Sequence, residues 1–242
     1  MADGAIRWWQ TLTTVDAEAV ELSDPVVVLP VAAIEQHGSH LPLSTDLEIG
    51  LGLLAEAFQR LPDGFPAWVL PPQAIGCSRE HARFPGTLTL EPEQLSALIE
   101  AAGESLARTG VRRLVLSNSH GGNRHALEAA GLRLRDELGM LVVPASWFRF
   151  PRPEHVDLPE GEWRHGLHGG AVETAMMMHL RADLVRVQGL QGAHAGDGRR
   201  EYRDAPVEAH ARQAVHGDAE QRRHHRAEHA PDGVVHRTLR QV

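Results

Sequence analysis

Apolar positions fall into short continuous runs separated by longer amphipathic stretches. Residues 25–34, Pro-Val-Val-Val-Leu-Pro-Val-Ala-Ala-Ile, are almost wholly apolar and rich in β-branched side chains. Such a run predicts a strand buried on both faces, as in a parallel sheet. Val111 to Ser117 and Met140 to Ala145 read the same way, and Ala67 to Leu70 is a shorter run stopped by Pro71-Pro72. Between them the period changes. Leu47, Leu51, Leu54 and Phe58 share one face of a helix over 47–60. A second helix is predicted over 92–109, with Pro92 near its start and Gly110 just past its end. A third runs from Asn123 to Leu138 and closes on Gly139. A long loop then extends through about residue 168, before a helix near Ala171 to Leu180.

Strand and helix therefore alternate. That order predicts an α/β fold of three layers, α/β/α, with a mostly parallel sheet covered on both faces. Ligands in such folds gather beyond the carboxyl ends of the strands. The polar clusters at 35–46 and 118–125 directly follow two of the best strands, so both are expected at one edge of the sheet.

The pattern fails after about Gln188. Residues 189–242 hold one aromatic, Tyr202, no Ile, Met, Phe or Trp, and seven of the 16 histidines. So few apolar side chains do not support a packed element. Residues 1–188 are expected to form the domain. Residues 189–242 are expected to be an atypical tail, disordered or translated from a shifted reading frame.

Composition narrows the function classes. The 242 residues suit one domain, and 42% hydrophobic with 23% charged is ordinary for a soluble protein. The formal net charge of -8 argues against a nucleic-acid partner. No apolar run reaches the roughly 18 residues of a membrane span. Met1-Ala2-Asp3-Gly4 lacks the basic and then apolar pattern expected of a signal peptide, and Cys77, the single cysteine, has no internal disulfide partner. A cytoplasmic enzyme is the simplest expectation. All 24 basic residues are Arg, which suggests a genome of biased base composition.

Three clusters carry candidate chemistry. In Glu35-Gln36-His37-Gly38-Ser39-His40-Leu41-Pro42-Leu43-Ser44-Thr45-Asp46, Glu35 and His37 are two apart at a strand end. In extended backbone they point to one side, and the loop is long enough to turn Asp46 back towards them. A carboxylate offers two oxygens and can bridge two metal ions. Mixed oxygen and nitrogen donors suit zinc or manganese. On spacing alone, a solvated polar loop fits equally well. In Ser117-Asn118-Ser119-His120-Gly121-Gly122-Asn123-Arg124-His125, His120 at the strand end is the better ligand candidate, and His125 inside the helix is structural. In His165-Gly166-Leu167-His168-Gly169-Gly170-Ala171-Val172-Glu173-Thr174, Glu173 sits in an apolar helical stretch beside Met176, Met177 and Met178. A buried carboxylate needs a partner, and a metal would be one. His168, at the helix entrance, is placed to act as acid or base. Trp147 and Trp163 are candidates for lining a substrate pocket. No nucleophile elbow, phosphate loop or dinucleotide fingerprint occurs.

Together these clusters resemble the creatininase family. The likeness runs through Leu29 to Leu43 with Thr45-Asp46, then Glu80-His81, then Phe84-Pro85-Gly86-Thr87. It continues through Asn118-Ser119-His120-Gly121-Gly122-Asn123 and His168 to Thr174. The resemblance implies a three-layer domain assembled as a homohexamer, with two divalent ions, zinc or manganese with iron as a further option. By that likeness Glu35, His37, Asp46 and His120 are ligands, Asp46 bridges, and His168 is the acid/base histidine. Glu173 stands as a fifth ligand and a candidate catalytic carboxylate. The implied activity is hydrolysis of the C–N bond of a small-molecule cyclic amide or formamide. The alternatives are trimming of a peptide-derived cofactor precursor, or an inactive metal-binding homologue. One departure bears on substrate. Creatinine-hydrolysing members carry a Glu two residues after the histidine matching His120, and this chain has Gly122 there, which makes creatinine a doubtful substrate.

Overall fold

Val26–Val31 forms strand β1, buried at every position, as a strand covered on both faces must be. The computed structural model describes residues 5–152, 156–166 and 168–186. Residues 189–242, read above as an atypical tail, lie outside the described residues. Within them α1 spans Thr14–Glu21, α2 Thr45–Phe58 and α3 Pro92–Arg108. Helices α4, α5 and α6 span Arg124–Leu138, Glu160–His165 and Ala171–Leu180. Strands β2, β3 and β4 span Ala67–Val69, Arg113–Asn118 and Leu141–Ser146.

Among the described residues the strands form one sheet in the order β2-β1-β3-β4, every pair parallel. Pro30 in this central strand costs no ladder bond. Its carbonyl accepts from Gln73 beyond the end of β2, so its missing N–H faces the side where β2 has stopped at Val69. Pro144 lies in β4, which has one neighbour among the described strands.

Alternation along β1 assigns the two layers. Val27, Leu29 and Val31 pack with Leu95, Ile99 and Leu106 of α3 and with Leu127, Ala130 and Leu134 of α4. Val28 points the other way, onto Leu54 and Phe58 of α2. The α/β/α layering follows. α2 also buries Ile49 against Met177 of α6, while Leu47 and Leu51 stay half-buried, so two helices share the second face.

Two elements depart from the expected pattern. α1 was not predicted; it carries a capping box between Thr13 and Asp16 but buries no residue, so it lacks an apolar stripe. The expected loop up to 168 contains α5. This helix is too short for a readable period, yet its buried Glu162 accepts a 3.0 Å hydrogen bond from the Ala171 amide and caps α6. α5 thereby fixes the entrance of the helix that carries Glu173.

Candidate metal centre

Parallel strands deliver their carboxyl ends to one edge, and the predicted residues meet there. The chain leaves β1 at Val31 and turns back at once: the Glu35 amide donates to the Leu43 carbonyl at 3.0 Å. That return places Asp46 in the first turn of α2, where helix amides favour a negative charge. His120 follows β3, and Glu173 lies in the first turn of α6. Glu35, His37, Asp46, His120 and Glu173 are all buried.

Asp46 is the hub. Its Oδ1 lies 3.5 Å from His37 Nε2, and its Oδ2 lies 3.1 Å from His120 Nδ1. Each oxygen thus faces a different imidazole. Glu35 Oε1 lies 3.4 Å from His120 Nδ1 and 4.0 Å from His37 Nε2. Glu173 Oε2 is 3.9 Å from His37 Nε2. Two donor sets share one neighbourhood: His37, Asp46 and Glu173, and Glu35 with His37 and His168. A further grouping joins Glu35 and His120 with Glu80, whose side chain is half exposed.

The donors are left unsatisfied by the protein itself. Both Glu35 oxygens, His37 Nε2 and Asp46 Oδ2 are buried without a hydrogen-bond partner among the described residues. Buried polar groups are normally paired, and a convergent set that is not paired fits a cation. The outer nitrogens are held as a metal site requires. His37 Nδ1 lies 3.1 Å from the Glu35 carbonyl and His120 Nε2 2.8 Å from the Cys77 carbonyl. A carbonyl only accepts, so each of those nitrogens carries a proton, and the inward nitrogen is the one free to give up its proton to a metal ion.

The electrostatics agree with this arrangement. Burial opposes charge on His37 and His120, but contact with Asp46 and the nearby carboxylates outweighs it and lifts both to about 9. Burial would raise Asp46 as well, yet the two imidazoles bring it down to about 2. Burial raises Glu35, and it raises Glu173 to about 7. His168 is driven down to about 3, by burial first and then by His37 and His81.

His168 stacks on His37, with ring centroids 4.2 Å apart, and points Nδ1 at Glu35 Oε1 from 3.4 Å. Its Nε2 donates to the Gln36 carbonyl at 2.6 Å, so Nδ1 faces the site as an acceptor. Glu173 accepts from the Gly169 amide at 2.6 Å. Gly169 has a φ of +64, and a Cβ there would meet the His37 carbonyl at 3.1 Å, which explains the glycine.

The frame behind the site is amide-rich. Asn123 accepts from the Cys77 amide and donates to the Ala32 carbonyl, and Asn118 donates to the His120 carbonyl and to Ser146. Cys77 therefore serves through its backbone. A Cβ at Gly122 would come 2.1 Å from the Cys77 carbonyl oxygen and 2.6 Å from His120 Nε2. His125 is exposed on α4 and stays outside the site. Trp147 packs beside Leu41, Ile49 and Met177, whereas Trp163 packs with Leu158 and Ala171 beneath Arg152. Sequence reasoning gave no role to Gln36, Glu80 or His81. The Glu80-His81 pair stood within the family likeness, and that was the available signal.

Comparison with known proteins bears on this geometry. A family model for creatininase, described as creatinine amidohydrolase, matches residues 10–242. The mycofactocin precursor peptide peptidase of Mycobacterium ulcerans is 35% identical over 176 residues, 71% of this chain and 64% of that protein. Its counterpart in Mycobacterium tuberculosis is 36% identical over 172 residues, 69% of this chain and 62% of that one. The chain thus spans just under two thirds of the length of these peptidases. Creatinine amidohydrolase of Pseudomonas putida is 32% identical over 190 residues, 72% of each chain. Among solved structures, a creatininase with manganese in its name superposes with a TM-score of 0.69 at 27% identity, covering 91% of this chain and 98% of that one. A mutant creatininase of zinc–zinc type gives 0.65 at 25% identity, covering 90% and 97%. The buried carboxylate–imidazole cluster lies within the residues that the family model matches, and by the length of that match this protein belongs to the creatininase family.

Proposed function

We propose that this chain is a metal-dependent amidohydrolase that cleaves a C–N amide bond with two divalent ions shared across Asp46. The observation that carries this reading is the set of three oxygens on Glu35 and Asp46 and one nitrogen on His37, buried without a hydrogen-bond partner among the described residues and converging where Asp46 turns one oxygen to each imidazole. Glu35 and His120 would hold one ion, and His37 and Glu173 the other, with Asp46 common to both. This oxygen and nitrogen set suits zinc or manganese, and iron is compatible. When bound, such a pair lowers the pKa of water and polarises a carbonyl oxygen.

The chain supplies the proton handling. His168 Nδ1 faces the cluster as an acceptor, fixed by the Gln36 carbonyl behind it. It takes a proton from the attacking water and returns it to the leaving nitrogen, a role worth roughly 10²–10⁴-fold in rate.

For substrate we infer a peptide amide bond in preference to creatinine. The peptidase relatives, at 35% and 36%, stand slightly nearer than the creatinine amidohydrolase at 32%. The close approach of Cys77 and His120 to Gly122 also leaves no room for a carboxylate side chain at that position. A cyclic amide or formamide is the second reading, supported by the Pseudomonas relative. A homohexamer is the assembly we expect from the family.

Metal analysis followed by a panel of short peptides, cyclic amides and formamides tests the proposal. Released amino acids support the peptidase reading, and ring-opened products support the second. A chain that carries two equivalents of metal yet turns over none of the panel sinks the hydrolase reading and favours an inactive metal-binding homologue.

A further inference from the structure

Two histidines approach the same oxygen of Glu35 with opposite ends. His168 Nδ1 lies 3.4 Å from Glu35 Oε1, and His81 Nε2 lies 3.9 Å from it. Their rings are stacked, with centroids 4.2 Å apart and planes 14° from parallel. His81 comes from the 3-10 turn Arg79–His81, far from Gln36 in sequence, and its side chain is about one-tenth exposed.

Gln36 decides what each ring presents. Its carbonyl takes the Nε2 proton of His168, which leaves Nδ1 as an acceptor. Its side-chain Oε1 accepts from the Gly38 amide at 3.0 Å, and this fixes which end of the Gln36 amide is nitrogen. That nitrogen stands 3.0 Å from His81 Nδ1. It is also 3.0 Å from His168 Nε2, but that atom is already a donor. An amide N–H only donates, so His81 Nδ1 accepts and the His81 proton sits on Nε2. Both rings thus hold the same tautomer and turn opposite ends to the site, an acceptor beside a donor. At 3.9 Å the His81 N–H makes no hydrogen bond with Glu35, which leaves it to a substrate atom.

We propose that His81 is a second catalytic histidine, whose Nε2–H donates a hydrogen bond to the carbonyl oxygen of the scissile amide as that oxygen gains charge. The proposal rests on the hydrolytic reading above. No proton leaves His81. The bond strengthens as the carbonyl oxygen becomes negative and relaxes when the C–N bond breaks, while His168 carries the transferred proton. Gln36 is a positioning residue that acts through His81.

The test uses the full chain loaded with zinc, its histidines labelled with nitrogen-15. Two-bond nitrogen–proton correlations should show the Nε2–H tautomer for both rings. Gln36→Glu keeps the side-chain shape but replaces the donor with an acceptor. It should move the His81 proton to Nδ1 and leave His168, held by a backbone carbonyl, unchanged. Gln36→Glu and His81→Asn should each lower kcat by about 10²–10³, with KM changed less than about threefold and metal content as in the parent. His81→Gln, whose amide reaches towards the Nε2 position, should recover at least about tenfold over His81→Asn. An Nδ1–H tautomer for His81 in the parent chain overturns the proposal. Parental kcat in His81→Asn overturns it too, as does equal loss in the Asn and Gln variants together with loss of metal. A parent chain inactive on every amide overturns the hydrolytic reading instead, and the tautomer result distinguishes the two failures.

Discussion

In the proposed reaction Asp46 holds metal and His168 moves the proton, and substitution should separate the two roles. Asp46 touches both imidazoles through different oxygens, so no neighbour can replace it. Asp46→Ala should lose metal and turnover together, read by elemental analysis alongside an amide assay. A variant with full metal content would contradict its shared position. His168 is less enclosed, with its side chain about one-quarter exposed, and only its ring nitrogen addresses the cluster. His168→Ala should keep its metal and lose roughly 10²–10⁴-fold in kcat. Unchanged turnover would remove it from proton transfer. Both residues were legible in the sequence because they sit at strand and helix ends within short polar clusters. His81 was not, since its meaning depends on a chain return that sets residue 81 against residue 36, and no local period encodes that contact.

At the scale of elements, the sheet and its large helices were readable within a few residues, because each has a run or a stripe that burial requires. β1 is apolar at every position, and α3 shows Pro92 in its first turn with Leu95, Ile99 and Leu106 on the buried side. α1 and α5 were missed for a physical reason. α1 buries none of its residues, and α5 has six residues held by one long-range cap from Glu162. The segment 76–81 was equally opaque: it has no regular strand or α-helix, yet its backbone orients His120. Gly122 tests that dependence. Its Cβ would strike both the Cys77 carbonyl and the His120 ring, so Gly122→Ala must displace one of them. Losing the carbonyl behind a ligating histidine typically weakens metal binding about 10–100-fold. Competition titration with a zinc chelator should show that loss while far-UV circular dichroism stays native. Parental affinity would mean that the Cys77 contact does not position His120.

For the whole molecule, the cluster concentrates negative charge inside a fold whose formal net charge is already -8, and protons or metal ions must answer it. In the metal-free chain the protons do so. His37 and His120 are raised from 6.5 to about 9: burial opposes this, but Asp46 and the other carboxylates prevail. A raised folded pKa means that the folded state binds more protons. The stabilisation is complete below about 6.5 and is lost as pH climbs through about 9. Glu173, raised by burial from 4.5 to about 7, acts in the same direction, and its contribution fades as pH passes 7. Asp46 and His168 shift the other way, to about 2 and about 3, so their effects fall below this window. Metal-free protein should therefore melt at progressively lower temperature from pH 6.5 to 9. For a domain of this size the scale is about 2–4 °C per kcal/mol. A bound divalent ion takes over the neutralising role and displaces the imidazole protons, so the zinc-loaded chain should show a much smaller decline. Calorimetric titration of zinc at pH 7 in two buffers of different ionisation enthalpy should report proton release, with affinity increasing towards pH 9. A metal-free melting temperature that stays level or rises across that interval, or zinc binding without proton release, would mean that His37 and His120 do not carry the charge that answers the carboxylates of the cluster.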